Sequence, residues 1–194
     1  MSNERLTPFS YVILVLVGRD GAGPHDLRRM AAIGRVYWDA APSQWYAEPK
    51  RLAALGLLHA EKAPGRTRER THYTLTDRGR DRLRTWAVTP AALPRMQHEP
   101  VIRLLAADLV DPAAVADGLS AMEREIESAT AGLTAAEERL DERFPYRAAL
   151  LRTNHRYARR LLGLQREWLE EAKDVLAGAQ AGREPRPLPG DEPH

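Results

Sequence analysis

Thr7-Pro8 leads into a stretch, Phe9 to Val17, that is apolar at nearly every position and is stopped by Gly18. This pattern predicts a helix capped by Thr7, opened by Pro8 and placed in a core or between subunits, because no polar face is left for water. Arg19 to Gly23 reads as a turn. Pro24 then opens a short helix whose Leu27, Met30 and Ala31 face inward while Arg28 and Arg29 stay wet. A third helical stretch starts at Pro42-Ser43, reaches Leu55 and stops at Gly56. The period then becomes strand-like over Leu57 to Lys62 and Arg70 to Leu75, with the turn formers Ala63-Pro64-Gly65 and the basic Arg66-Thr67-Arg68 between. Thr76 caps a further helix, Asp77 to Trp86.

Pro90, Pro94 and Pro100 mark a linker-like passage, so residues 1–90 are expected to form one domain. After a short helix around Val101 to Leu109, Asp111-Pro112 starts a long one. In it Val115, Leu119, Met122, Ile126, Ala129, Leu133, Ala136 and Leu140 recur at alternating spacings of four and three, a heptad seam. Pro145 breaks it. The next long helix carries Leu150, Tyr157, Leu161, Leu164, Trp168 and Val175 on one side, widened by Leu151, Leu162, Leu169 and Leu176 beyond what a two-helix seam needs. Residues 91–178 therefore read as a helical dimerisation domain, with Leu119, Met122, Ile126, Leu133, Leu161, Leu164 and Trp168 expected between chains. Residues 179–194, rich in Gly, Pro, Arg and Glu, read as a disordered tail.

The net charge of +2 hides an asymmetry: residues 1–90 hold 15 basic against 9 acidic side chains, and the remainder 14 against 18. The first half is built to meet an anion. Of the 29 basic residues all but Lys50, Lys62 and Lys173 are arginine, so the asymmetry rather than the arginine count carries the argument. The absence of cysteine excludes disulfides, thiolate nucleophiles and Cys-type zinc sites, and with an opening Met1-Ser2-Asn3-Glu4-Arg5 that lacks a secretory pattern it points to the cytoplasm. The longest apolar run, Tyr11 to Val17, is too short to cross a bilayer.

Three helices, a two-stranded hairpin with a basic tip and a fourth helix follow the order of a winged helix-turn-helix, so the expected fold is mainly α, that module plus a coiled-coil-like domain of long helices. Double-stranded DNA is then the expected partner. At the start of the third helix Gln44 is the direct-readout candidate, its amide suited to adenine. Ser43 is a contact or an N-cap, Tyr46 offers a phenol, and Trp45 reads as packing. Lys50 and Arg51 suit phosphate oxygens or a solvated face. In the wing Arg66, Arg68 and Arg70 alternate, with His72 continuing the alternation, and so share one face for phosphate or minor-groove contact. Enzyme readings fare poorly. The segment Gly18 to Gly23 follows a helix and lacks the Gly-Lys-Ser/Thr of a phosphate cradle, the six histidines show no paired metal-ligand spacing, and the carboxylates Glu123, Glu125, Glu127, Glu137 and Glu138 belong to a coiled-coil surface. No metal, cofactor or catalytic residue is expected.

The run Ser43 to Leu52, the stretch Leu55-Gly56-Leu57-Leu58, the segment Tyr73-Thr74-Leu75-Thr76-Asp77-Arg78-Gly79 and the opening Leu6-Thr7-Pro8 with Tyr11 and Ile13-Leu14 resemble the PadR family of transcriptional regulators over residues 6–86. The resemblance implies a recognition helix carrying Gln44, Trp45, Tyr46, Lys50, Arg51 and Leu52, a helical C-terminal domain that dimerises, and a repressor of a pseudo-palindromic operator. It also implies a small aromatic effector near the dimer interface, for which Tyr157, Trp168 and His155 are candidates against the alternative of core packing. One departure stands out: proline, usual in the family near Ala47, here occupies position 49 inside the expected helix, so that helix either begins later or kinks. The alternative function is a coiled-coil interaction module whose winged domain docks protein, and the charge asymmetry favours DNA over it.

Overall fold

The computed structural model describes residues 5–63 and 70–182, which divide at Leu93/Pro94 into two compact units. In the first, α1 spans Pro8–Val17, α2 Pro24–Ile33, α3 Gln44–Ala54 and α4 Asp77–Ala87, with strands β1 (Leu58–Ala63) and β2 (Arg70–Leu75) between α3 and α4. This is the winged helix order. Thr7 caps α1 in a reciprocal box, its Oγ1 accepting from the Ser10 amide while the Thr7 amide donates to Ser10 Oγ, and Gly18 ends the helix at φ +56°. The strands pair antiparallel from Leu58 opposite Leu75 to Ala63 opposite Arg70. Ala22 adds a bridge to Tyr73, the two backbones exchanging hydrogen bonds of 3.0 and 3.1 Å.

Ile13, Leu14, Val17, Leu27, Leu52, Leu57, Leu58 and Tyr73 form the core of this unit, each large aliphatic side chain contributing roughly 1.5–3 kcal/mol by leaving water. Trp45 joins them, set edge-on to Phe9 at 4.9 Å, and Phe9 also stacks on Trp38. Gly79 shows why the Thr-Asp-Arg-Gly segment has its composition. Thr76 donates its hydroxyl to the Gly56 carbonyl and accepts from the Gly79 amide, which draws the first turn of α4 onto the corner between α3 and β1. A Cβ at Gly79 would lie 2.1 Å from the Leu57 carbonyl oxygen.

The second unit comprises α5 (Glu99–Leu105) running into a 3-10 turn at Ala106–Asp108, α6 (Pro112–Glu137), α7 (Leu140–Arg143) and α8 (Ala148–Gly182). Cross-pairs of Lys173 with Glu123 and of Arg159 with Glu137, each at 2.6 Å, run in opposite directions along the two helices, so α8 lies antiparallel to α6, and Arg152 pairs with Asp141 of α7. Leu119, Ile126 and Leu133, each at most 3% exposed, are buried within the single chain rather than between chains as their heptad had suggested. They face α8 through His155, Leu162, Leu169 and Leu176, spaced seven apart, and through Ala158 and Ala172, fourteen apart, whose small side chains allow close approach. Met122 is half-buried beside them.

Other expectations need correction as well. α6 ends at Glu137, so Leu140, expected to continue the seam, sits on the separate α7. α8 continues to Gly182, into the stretch expected to be tail. No helix among the described residues is long and apolar enough to cross a membrane.

Gly79→Ala is expected to destabilise the first unit by about 3 kcal/mol, at the upper end of overpacking costs, because the neighbour it strikes is backbone and cannot rotate away. Urea unfolding followed by circular dichroism checks this. A midpoint equal to that of the wild type would contradict the packing described for α4.

Candidate nucleic-acid interface

The 3.6-residue period of α3 divides its side chains. Trp45, Pro49 and Leu52 turn into the core, which leaves Ser43, Gln44, Tyr46 and Lys50 exposed on the opposite side. Ser43 has α-helical backbone angles and makes no side-chain cap, so the N-cap reading fails on geometry. That end of the helix is instead held by Gln44, whose Oε1 accepts from the Ala41 amide at 3.1 Å. The amide NH2 of Gln44 stays available to an acceptor, while bidentate pairing with adenine must use the second lone pair of an oxygen already engaged. Tyr46 is 48% exposed, and Lys50 makes no ion pair among the described residues. Trp45 is packing, as read from sequence, and its indole N–H donates to the Ala40 carbonyl at 3.3 Å.

Arg51 departs from the expected role. Its Nε and Nη2 donate to the two oxygens of Glu48 at 2.8 and 2.6 Å, and Nη2 also reaches Ser10 Oγ at 3.1 Å. Ser10, itself wholly buried on α1, donates to Glu48 Oε1 at 2.6 Å. Burial alone would raise the Glu48 carboxyl, but the Arg51 guanidinium and the Ser10 hydroxyl outweigh it and hold the group below the usual carboxylate range. Arg51 is held charged by the same contact. A guanidinium so neutralised is a poor partner for phosphate.

Ser10 and Glu48 were not among the candidates read from sequence. The three-residue spacing of Glu48 and Arg51 was visible there, but a single serine in an apolar helix gave no sign of the carboxylate it would meet. The helix also runs through Pro49 without starting later, which resolves one of the two alternatives raised by that proline.

At the wing, Arg70 is exposed at the root of β2 and unpaired among the described residues, whereas Arg66 and Arg68 lie outside them. Within the single chain His155, Tyr157 and Trp168 do not meet in one site. His155 is buried toward α6 with Nδ1 3.6 Å from Glu137 Oε1, Tyr157 is 51% exposed two residues on, and Trp168 stands edge-on to His98 at 5.3 Å. Tyr157 and Trp168 are eleven residues apart, about 16 Å along the helix. Leu161 is half-buried, while Leu164 and Val175 are 61% and 64% exposed.

No protein-family model matches the sequence, and no curated protein matches it. Solved structures do match. The structure of Bacillus subtilis PadR in complex with operator DNA is similar over 89% of this chain and 99% of that chain, with 20% identity and a TM-score of 0.71. The PadR-like transcriptional regulator BC1756 from Bacillus cereus is similar over 91% and 99%, with 15% identity and a TM-score of 0.74. Bacillus subtilis PadR in complex with p-coumaric acid is similar over 89% and 98%, with 19% identity and a TM-score of 0.59. The fold is that of PadR-like regulators.

The placement of His155 has a pH consequence. Burial depresses its pKa in spite of the nearby Glu137, and Arg159 adds to the depression, so the folded protein holds the ring neutral while the unfolded chain takes up a proton near pH 6.5. Its contribution to stability is therefore present above about pH 6.5 and is lost as pH falls toward the depressed folded value. Urea midpoints measured between pH 8 and pH 5 should fall more steeply for the wild type than for His155→Gln. Parallel profiles would contradict a buried neutral imidazole.

Proposed function

We propose that the chain is a PadR-type transcriptional regulator that reads double-stranded DNA through the exposed side of α3, as a homodimer joined through α8. The observation that carries the reading is the division of α3. Its apolar side is consumed by the core, and an amide, a phenol and a lysine without an ion pair among the described residues are left together on the other side, in a fold whose neighbour holds operator DNA. In this reading Gln44 and Tyr46 meet base edges, Lys50 meets a phosphate, and Arg70 with Arg66 and Arg68 carries the wing along the backbone. Arg51 supports α3 from behind. Repression by operator occupancy is the mode that the resemblance implies.

The dimer is supported by a second seam on α8. Leu150, Tyr157 and Leu164 recur every seven residues, as do Leu161, Trp168 and Val175, and the two series interleave at spacings of four and three. Within the single chain Leu150, Tyr157, Leu164 and Val175 of this stripe are 69%, 51%, 61% and 64% exposed, and Leu161 and Trp168 are half-buried. An apolar stripe of that length calls for a partner, and a second copy brings an identical stripe of the same heptad period. The dimerisation seam therefore shifts from the α6 residues to Leu161, Leu164 and Trp168.

On a preferred duplex, Gln44→Ala is expected to cost about 1–3 kcal/mol while leaving affinity for random DNA nearly unchanged. Lys50→Ala should weaken both and flatten the slope of log K against log salt by about 0.9. Fluorescence anisotropy titrations at several salt concentrations separate the two outcomes. Equal loss on both duplexes for Gln44→Ala would overturn its role at the bases. Leu164→Asp should sediment as a monomer and lose the preferred duplex, and a monomeric wild type at micromolar concentration would overturn the dimer.

A further inference from the structure

Pro49 has no amide hydrogen, so the Trp45 carbonyl, four residues earlier, receives no helical hydrogen bond from it, and the proline ring crowds that carbonyl. The gap falls between two parts of α3 with different duties. Upstream are Gln44 and Tyr46, the base-reading residues of the function proposed above. Downstream is Leu52, wholly buried in the core. Pro49 is itself fully buried, and its ring packs inside the unit rather than standing in solvent.

The ion pair between Glu48 and Arg51 straddles the proline. Glu48 is the last residue before the proline and Arg51 stands two residues after it, joined to the carboxylate through both of its oxygens at 2.8 and 2.6 Å. An exposed pair of this spacing would contribute little. Here the Glu48 side chain is only 14% exposed, and Ser10 anchors the pair to a second helix. The Ser10 hydroxyl is fully used. Its proton goes to Glu48 Oε1, and its oxygen accepts from Arg51 Nη2 at 3.1 Å and from the Thr7 amide at 2.9 Å, so it ties α3 to the capping box that starts α1.

We propose that Ser10, Glu48 and Arg51 form a side-chain clamp that replaces the backbone bond missing at Pro49 and holds the base-reading turn of α3 in register against α1. The three are positioning residues. Arg51 spends its charge on the clamp and does not meet phosphate. The proposal rests on the DNA-reading function above for its consequence, but the clamp itself is a property of the free protein.

The test is a double-mutant cycle between Glu48 and Pro49 in the full chain, read by hydrogen exchange of the amides of residues 44–48 and by binding to two duplexes. One duplex is selected by the wild type from a random pool, and the other is of random sequence and equal length. Glu48→Gln should speed exchange of those amides and weaken the selected duplex by about tenfold, the scale of a lost charged hydrogen bond. In a Pro49→Ala background, where the helical bond can form, the same substitution should do neither, which is the coupling that a merely structural residue would not show. Ser10→Ala should act in the same direction but more weakly, and serves if Glu48→Gln does not fold. Arg51→Gln should keep the wild-type salt slope.

Unchanged exchange in Glu48→Gln, or an equal effect with and without Pro49, overturns the clamp. A salt slope flattened by about 0.9 in Arg51→Gln makes it a phosphate contact and overturns its assignment. Faster exchange in a protein that selects no duplex overturns the DNA-reading function and confines the clamp to folding.

Discussion

The arrangement of the first unit depends on one constraint, the burial of the underside of α3. Trp45, Pro49 and Leu52 recur at spacings of four and three, and a helix that commits those positions to a core has no choice about which residues it shows to water. Burial of Leu52 and Trp45 against Ile13, Leu14 and Leu27 fixes rotation about the helix axis, and the outward position of Gln44, Tyr46 and Lys50 follows. The same packing brings Glu48 to Ser10. A polar cluster at that depth is tolerable because each oxygen and guanidinium hydrogen it buries meets a partner of opposite character.

The second unit obeys a related rule with a different outcome. A helix of 35 residues can carry two apolar seams, and α8 does, but α6 covers only one of them. The seam it covers contains Ala158 and Ala172, which let two backbones approach closely, whereas the other seam contains the bulkier Leu164, Tyr157 and Trp168. Small residues suit a fixed intramolecular hairpin joined by a short connection. Larger ones suit a surface that must capture a separate molecule through buried area.

Most of the fold was legible in the sequence because its punctuation is local. Thr7 and Thr76 cap helices where hydroxyls precede proline or aspartate, Gly18 and Gly56 end or turn the chain at positive φ, and the alternation after Leu57 marks the strands. What was not legible is non-local. The spacing of Leu119, Ile126 and Leu133 reveals a seam but not which helix fills it, and a partner in the same chain leaves the same pattern as a partner in another. The residues treated as a widening of the α8 stripe, Leu162, Leu169 and Leu176, proved to be the buried ones. Arg51 illustrates the same limit at the candidate site, since its sequence neighbours suggest a basic exposed face and only the fold supplies Ser10 from 41 positions away. Within the motif around Gln44, periodicity decides the sides: Gln44, Tyr46 and Lys50 are exposed, whereas Trp45 and Leu52 are buried.

In the function proposed for the chain, two copies of α3, held by a dimer, read base edges in successive major grooves. Selection of bound duplexes from a random pool by the full-length protein, followed by sequencing, addresses it most directly. The expected result is an enriched motif with two-fold symmetry and half-sites about 10 base pairs apart, centre to centre, or a multiple of that. A pool that gains no motif, or gains a single half-site without a symmetric mate, would contradict it.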